Sequence, residues 1–224
     1  MSSSELQVIH QDDALLVLDK PAGLLSVPGR GEDRQDCLST RVQAYFADAL
    51  IVHRLDMATS GLMIMARGHI AQRTLSHAFA TREVVKRYTA VVDGHINPHI
   101  GDWQVIDLPI VVDWPNRPLR IVDAVHGKPS QTRWRVEPID SLQNPGKRLE
   151  PPGSTRLELE PLTGRSHQLR VHLKAIGHAI LGDTLYASAA VQARSDRLLL
   201  HARGLTLQHP VTGESLLFHS TPPF

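Results

Sequence analysis

The longest uninterrupted apolar runs in this chain are only five residues long, and this limits what it can fold into. They are Ala14 to Leu18 (ALLVL) and Leu62 to Ala66 (LMIMA), and a charged residue, Asp19 or Arg67, follows each directly. A helix that crosses a bilayer needs about 20 apolar residues, so neither run is a candidate for such a helix. Short apolar runs of this kind predict buried strands.

Strand patterns outnumber helix patterns along the chain. The predicted strands cover 14–19, 61–66, 84–92, 155–160, 198–208 and 214–219, and the predicted helices cover 36–46, 70–79 and 166–176. The order is irregular and does not repeat a strand–helix–strand unit, which favours an α+β fold with a largely antiparallel sheet. Strand patterns continue on both sides of the Pro- and Gly-rich segment from Ser141 to Gly153, so we interpret it as a surface loop within one domain, 1–224.

Composition and charge exclude several classes of protein. Hydrophobic residues make up 42% of the chain and charged residues 21%, as in globular proteins, and not as in collagen-like or disordered chains. The net charge is only +1, which argues against binding nucleic acid through bulk charge alone. However, residues 51–90 contain six basic and two acidic side chains, and residues 161–224 contain six basic and three acidic ones. A local basic face therefore remains open.

Cysteine and histidine usage argues against a disulfide framework or a metal site. Cys37 is the single cysteine, and the 13 histidines include no HExxH pattern. His167 and His172 are five residues apart and would lie on different faces of the predicted helix. No secretory signal pattern precedes the first strand. We therefore expect a cytoplasmic protein with no metal and no membrane association.

The densest group of polar residues is HRLDMATSG at 53–61, directly before a predicted strand. Asp56 follows Arg54 by two residues, and the turn residues Thr59 to Gly61 would fix this polar loop at the end of a rigid strand. Catalytic side chains tend to lie on such loops. An Arg54–Asp56 pair that only stabilises the turn would give the same spacing.

Two further groups contain residues suited to binding RNA. The segment TGRSHQLR at 163–170 follows a strand pattern and begins a helix, which makes it a candidate anion site around Arg165. Ordinary helix capping by Thr163 would also explain the Thr-Gly pair. Tyr88, in KRY at 86–88, could stack on a base, although a tyrosine in an apolar strand also suits a protein core.

Together, these segments resemble the RluA family of pseudouridine synthases. The matching segments are HRLDMATSG at 53–61, KRYTA at 86–90 and GRSHQLRVH at 164–172, with DKPAGLLSVPG at 19–29 and LLLHA at 198–202. Met57-Ala58 and the insert DWPNRP at 113–118 are similar to the RluA subgroup, which is dual-specific for rRNA and tRNA. The resemblance implies the pseudouridine synthase catalytic fold, with a mixed, largely antiparallel sheet, flanking helices and a central active-site cleft. The strand pattern begins at Leu6, so no N-terminal accessory RNA-binding domain is expected.

The resemblance also implies a function and a role for each site residue. The enzyme would be an isomerase that flips specific uridines out of RNA hairpins, in 23S ribosomal RNA and in the tRNA anticodon stem-loop, and converts them to pseudouridine. Asp56 would be the catalytic residue, favoured in its ionised form by Arg165. Arg54 would fill the space left by the flipped nucleotide, Tyr88 would stack on the uracil, and Leu200 would pack on the base. Isomerisation needs no cofactor, and we expect a monomer without an obligate protein partner.

Two alternatives remain at this point. One is an RNA-binding protein on the same scaffold that has lost its activity, although Asp56, Tyr88 and Arg165 are all present. The other is an unrelated hydrolase that uses Asp56 and a histidine, for which no second polar partner is evident.

Overall fold

The computed structural model describes residues 6–97, 102–137 and 151–224. They form two compact units: the first extends to Lys86 and includes His201–Pro222, and the second comprises Arg87–Leu200 with Pro223–Phe224. No helix among these residues is both long enough and apolar enough to span a membrane. The strands are β1 (Val8–Gln11), β2 (Leu15–Lys20), β3 (Ala49–Ile51), β4 (Ser60–Arg67), β5 (Val85–Asp93), β6 (Gln104–Asp107), β7 (Ile110–Val112), β8 (Arg120–Val122), β9 (Gln131–Val136), β10 (Ser154–Pro161), β11 (Leu200–Gln208) and β12 (Ser215–His219). The helices are α1 (Leu38–Gln43), α2 (Gly68–Ala80), α3 (Gln168–Ala175) and α4 (Ala189–Gln192).

The first unit is built on the pairing of β2 with β4. These two strands are antiparallel from Leu15 opposite Ala66 to Lys20 opposite Gly61. β1 pairs with β2, and β3 also pairs with β4, both antiparallel. β4 pairs in parallel with β11, and β12 is antiparallel to β11, so the sheet is mixed. Nearly every residue of β2 and β4 is buried, which explains why both strands are continuous apolar runs and do not alternate.

The second unit contains the antiparallel strands β5, β10, β9 and β6, in that order. One face of this sheet carries charged side chains, including Arg87, Glu160 and Arg133, with the Arg87–Glu160 ion pair at 2.8 Å. On the other face, α3 packs through His172 and Gln168, whose side chains both contact Thr132. β7 and β8 form a separate two-stranded hairpin. The sheet therefore has one polar face and one face covered by a helix.

Most of the predicted elements are confirmed, and the α+β class with a mainly antiparallel sheet is confirmed with them. The predicted helix over 36–46 is wrong at both ends: it spans only Leu38–Gln43, because Cys37 occupies the N-cap position with extended backbone and the chain turns after Ala44. The strand pattern that begins at Leu6 corresponds to β1, but the sequence patterns missed β3 and β6 to β9, which are three to six residues long. The predicted loop from Ser141 to Gly153 lies mostly outside the described residues. The single domain, the central cleft and the lack of an accessory domain stay predictions.

Candidate active site

Arg54 and Asp56 lie on one short loop of the first unit, between β3 and β4. We call residues 53–59 the Asp56 loop. Arg54 is exposed, Asp56 is half-buried, and Met57, the next residue of the loop, is 52% exposed. The Thr59 amide donates a hydrogen bond of 3.0 Å to the Asp56 carbonyl, which closes a tight turn around the aspartate. This confirms a polar turn directly before a buried strand.

Lys20, the last residue of β2, binds the backbone of the Asp56 loop from the protein interior. Its side chain is fully buried, and Nζ donates to the carbonyl oxygens of Pro21 at 2.8 Å, Leu24 at 2.8 Å and Met57 at 3.1 Å. The Gly23 amide donates to the same Met57 carbonyl at 2.8 Å. A buried ammonium group is tolerated only where such acceptors surround it. The backbone directly after Asp56 is therefore fixed by a buried cation.

Ser26 fixes the backbone on the other side of Asp56. Its hydroxyl donates to the Leu55 carbonyl at 2.7 Å and accepts from the Leu55 amide at 3.1 Å, and both residues are buried. Together, Ser26 and Lys20 bind both neighbours of Asp56 through main-chain groups. The position of the Asp56 backbone is thus set by contacts that do not use its carboxylate.

His53 fixes the start of the same loop as a neutral side chain. Its Nε2 accepts a hydrogen bond of 2.9 Å from the Ile64 amide, and its ring stacks on Phe79 with 4.3 Å between centroids. Burial, with a smaller effect of the nearby Lys86 charge, lowers the pKa of His53 to about 3. Since Nε2 accepts, the proton of the neutral ring is on Nδ1. The residue before Arg54 is therefore an uncharged acceptor at physiological pH.

Gly61 allows β4 and β11 to approach closely where the Asp56 loop ends. Its φ of +109° lies in a region that other residues rarely adopt. A Cβ atom at this position would lie 2.3 Å from the carbonyl oxygen of Ala202. Only glycine fits here, which explains its place in the motif.

Arg165 lies in the second unit, on the loop between β10 and α3, which we call the Arg165 loop (residues 162–167). The Gln168 side chain organises this loop: Oε1 accepts from the Arg165 amide at 3.0 Å and from the Thr163 hydroxyl at 2.7 Å. The α3 helix begins at Gln168, with His167 at the N-cap position in left-handed conformation (φ 58°). Helix capping by Thr163 is therefore wrong as an explanation. The Arg165 side chain is exposed.

A buried ion pair supports the Arg165 loop from within the second unit. Arg170 Nε donates to Asp183 Oδ2 at 2.8 Å, and these side chains are 3% and 0% exposed. Asp183 also accepts from the amides of Leu185 and Tyr186. The Tyr186 hydroxyl in turn contacts His167 Nδ1 at 2.7 Å. The start of α3 is thus connected to a fully paired buried charge.

The histidines in and before α3 make hydrogen bonds to the protein. His172 contacts the Thr132 hydroxyl through Nδ1 and the Leu108 carbonyl through Nε2, each at 2.9 Å. Burial lowers the pKa of His172, although its bond to Leu108 acts in the opposite direction. Within 6–97, 102–137 and 151–224, no group of three or more His, Cys, Asp or Glu side chains is arranged to bind a metal ion.

Tyr88 is half-buried in β5, directly opposite Leu159 of β10, and Leu159 is opposite Trp134 of β9. Directly paired residues point to the same face of a sheet, so Tyr88 is on the face that α3 covers. β10 ends two residues after Leu159, and the Arg165 loop therefore leaves the sheet at the end where Tyr88 lies. Leu200, the first residue of β11, is buried. Each unit thus contains one set of predicted site residues. Arg54 and Asp56 lie in the first unit, and Tyr88 and the Arg165 loop lie in the second.

The fold and these motifs define an RNA-modifying enzyme. Residues 14–175 match the model of the RNA pseudouridylate synthase family. The matched region includes the Asp56 loop, Tyr88 and the Arg165 loop. The chain belongs to this family, and the resemblance found in its motifs is confirmed. It is therefore an isomerase that acts on RNA, which removes the hydrolase alternative.

Named relatives are similar over almost the whole chain. The dual-specificity RNA pseudouridine synthase RluA of Escherichia coli K12 is 46% identical over 219 residues, which is 98% of this chain and 94% of the relative. The protein of the same name from Haemophilus influenzae is 43% identical over the same shares. Among solved structures, human RNA pseudouridylate synthase domain containing 1 has a TM-score of 0.76 at 26% identity, covering 100% of this chain and 86% of that chain.

Sequence reasoning missed the residues that support the two loops. Lys20 and Ser26 lie in DKPAGLLSVPG, which carried part of the family resemblance, but nothing in the local pattern shows that they contact residues 55 and 57. Gln168 was noted only as a member of a helix motif. The sequence feature that these three residues share is a polar side chain next to an apolar run. That feature identifies a supporting residue only when its burial is known.

Proposed function

We propose that this enzyme converts uridine to pseudouridine in hairpins of 23S ribosomal RNA and in tRNA anticodon stem-loops. The proposal is supported by similarity, over 98% of the chain, to enzymes named dual-specificity RNA pseudouridine synthases. Bases of a hairpin loop are easier to flip than those of a duplex, which suits such targets. The enzyme acts as a monomer in the cytoplasm in this proposal, without cofactor or metal.

Asp56 is the catalytic residue of the proposed reaction. The bond between N1 of uracil and C1′ of ribose breaks, the base rotates, and a new bond joins C5 to C1′; a proton leaves C5, and N1 gains one. No atom or electron is gained overall. The observation that carries this assignment is the Asp56 loop, whose backbone is bound on both sides by buried Lys20 and Ser26. Preorganisation of this kind is what a catalytic carboxylate requires.

Four further residues bind the substrate in this proposal. Arg54, exposed on the same loop, fills the space that the flipped nucleotide leaves in the RNA. Tyr88 stacks on the target uracil, since its ring is only half-buried. Arg165, exposed next to the backbone amides that precede α3, binds anionic groups of the reactants. Leu200 packs on the base as an apolar contact.

The test is tritium release from C5-labelled uridine in a transcribed anticodon stem-loop and in the ribosomal RNA hairpin. We expect release by the wild-type enzyme and none above background by Asp56→Asn, which keeps the side-chain shape but removes the charge. RNA binding by Asp56→Asn should stay at the wild-type level. Arg73→Ala, on the exposed side of α2, is the control for a single charge change outside the site and should release tritium normally.

Each result decides one part of the proposal. Wild-type turnover by Asp56→Asn would remove Asp56 from the chemistry. Binding without release on both RNAs would instead favour the RNA-binding protein without activity. Release from only one RNA would limit the proposed substrates to that class.

A further inference from the structure

Four polar side chains of the first unit, three of them buried and Asp19 half-buried, form a continuous chain of hydrogen bonds. The Ser220 hydroxyl donates to Asp19 Oδ2, and Ser220 Oγ lies 3.0 Å from His201 Nε2. His201 Nδ1 lies 2.9 Å from the hydroxyl oxygen of Ser60. His201 is 1% exposed, Ser60 3% and Ser220 5%. The chain thus connects the end of β2 to the first residue of β4 through β11.

The direction of these hydrogen bonds follows from the Asp19 end. A carboxylate only accepts, so the Ser220 hydroxyl proton is used on Asp19. Ser220 Oγ must then accept from His201, which places a proton on Nε2. A neutral ring then accepts at Nδ1 from the Ser60 hydroxyl, whereas a charged ring would donate there. For a neutral His201 ring, Asp19 therefore selects the tautomer protonated at Nε2, with Nδ1 as the acceptor for the Ser60 hydroxyl.

Ser60 is the first residue of β4 and directly follows the Asp56 loop. Ser26 and Lys20 bind the loop next to Asp56, and neither contact reaches its C-terminal end. Next to Ser60, the backbone of Gly61 lies against Ala202 with no space for a side chain. The hydrogen bond from Ser60 to His201 therefore fixes a side chain at the one point where the loop joins the rigid strand pair.

We propose that His201 is a positioning residue that holds the Asp56 loop through Ser60, an inference that rests on the proposed role of Asp56. Burying an imidazole and two hydroxyls is favourable only if each is hydrogen-bonded, whereas an apolar side chain would fill the same space more simply. A position that only packs the core gains nothing from this polar chain. A loop that must hold a carboxylate within a fraction of an ångström of its productive position is oriented by these directional hydrogen bonds.

The test uses two substitutions that divide the hydrogen bonds of His201. His201→Asn places an amide near Nδ1 and keeps a bond to Ser60, whereas His201→Leu removes both bonds at similar volume. Displacing a catalytic group by about 1 Å costs roughly 10²-fold in rate. We expect a loss of this size in the single-turnover rate of tritium release for His201→Leu, with unchanged RNA affinity. His201→Asn should recover most of the rate.

Ser39→Ala is the control for a loss of stability alone. Ser39 is a serine 3% exposed in the same unit, and its hydroxyl contacts Cys37 Sγ at 3.2 Å, away from the hydrogen-bond chain. Its rate should equal that of the wild type even if its melting temperature falls. An equal loss of rate in Ser39→Ala, or a wild-type rate in His201→Leu, would overturn the inference. The Asp56→Asn enzyme in the same assay separates the two proposals: if it is active, the proposed function is wrong, whereas if it is inactive and His201→Leu is active, only the positioning role is wrong.

The tautomer of His201 supplies a readout that does not depend on activity. Nitrogen-15 NMR of the wild-type enzyme should show His201 protonated at Nε2 and unprotonated at Nδ1. This measurement decides the point even if His201→Leu fails to fold. A ring protonated at Nδ1 alone would mean that Ser60 does not donate to it, and the inference would be wrong.

Discussion

The Asp56 loop and the Arg165 loop are both short, polar and followed by a regular element, but the protein supports them in different ways. The Asp56 loop is bound through its main chain, with the Met57 and Leu55 carbonyls as acceptors for Lys20 and Ser26. The Arg165 loop is bound at its centre by the Gln168 side chain, and at its start by the Gln131 carbonyl, which accepts from the Leu162 and Thr163 amides. A loop that carries a proposed catalytic carboxylate thus has a fixed backbone on both sides of that residue.

The difference also concerns where the buried charge lies. Under the Asp56 loop, the ammonium group of Lys20 donates to three backbone carbonyl oxygens. Behind the Arg165 loop, the buried charges of Arg170 and Asp183 neutralise each other. A cation bound by backbone dipoles ties the fold to the position of a few carbonyl groups. A paired ion ties it to a second side chain, and we expect the two to respond differently to substitution.

The largest expected effect is that of Arg170→Met on stability. This change leaves the fully buried Asp183 carboxylate without its cation, and breaking a buried pair on one side costs about 3–5 kcal/mol. Chemical denaturation should show a fall of this size in the free energy of unfolding. The matched variant Arg170→Met with Asp183→Asn removes both charges and should recover part of the loss. If the double variant were less stable than the single one, the pair would not be the main contribution of Arg170.

Lys20→Met should have a smaller effect on stability and a larger one on catalysis. It leaves buried carbonyl oxygens without a donor, at about 1–3 kcal/mol for an unsatisfied group, while Met57 keeps its bond from the Gly23 amide. Because the backbone after Asp56 is then less well fixed, the single-turnover rate should fall further than in Arg170→Met. Lys128→Met, at an exposed lysine, is the control and should stay within about 0.5 kcal/mol of wild type. Equal rate losses in Lys20→Met and Arg170→Met would contradict the difference drawn between the loops.

The sequence predicted well those parts of the fold whose signal is local. The apolar runs before Asp19 and after Gly61 became β2 and β4, since strands buried on both faces read as continuous apolar residues. The helix starting near Ser166 was predicted from its period, but its first residue was not, because Gln168 and not Thr163 satisfies the loop. The short strands β6, β7 and β8 were missed since four or fewer alternating residues carry little pattern.

The supporting contacts of the site could not be predicted, since they join residues far apart in sequence. Lys20 reaches Met57 across 37 positions, and Ser60 reaches His201 across 141. A buried lysine after an apolar strand looks like an ordinary exposed strand end until its surroundings are known. The motifs predict which side chains carry chemistry, whereas the structure shows which contacts fix the loops that hold them.

The expected effect that is smallest at neutral pH concerns acid stability at the start of the Asp56 loop. Burial lowers the pKa of His53 to about 3 in the folded protein, from an ordinary value of 6.5. Between these values the unfolded chain binds a proton that the folded one does not, so stability is complete above the ordinary pKa and falls as the pH decreases towards the lowered one.

In His53→Gln, whose amide oxygen can accept from the Ile64 amide and does not titrate, this contribution is absent. The free energy of unfolding of the wild type relative to this variant should therefore decrease on acidification, by at most about 1.4 kcal/mol per pH unit. The buried His172 in α3 is present in both proteins, so its titration cancels in the difference. Denaturant unfolding from about pH 7 to about pH 4 measures this slope; parallel curves for the two proteins would mean that His53 is not held neutral by the fold.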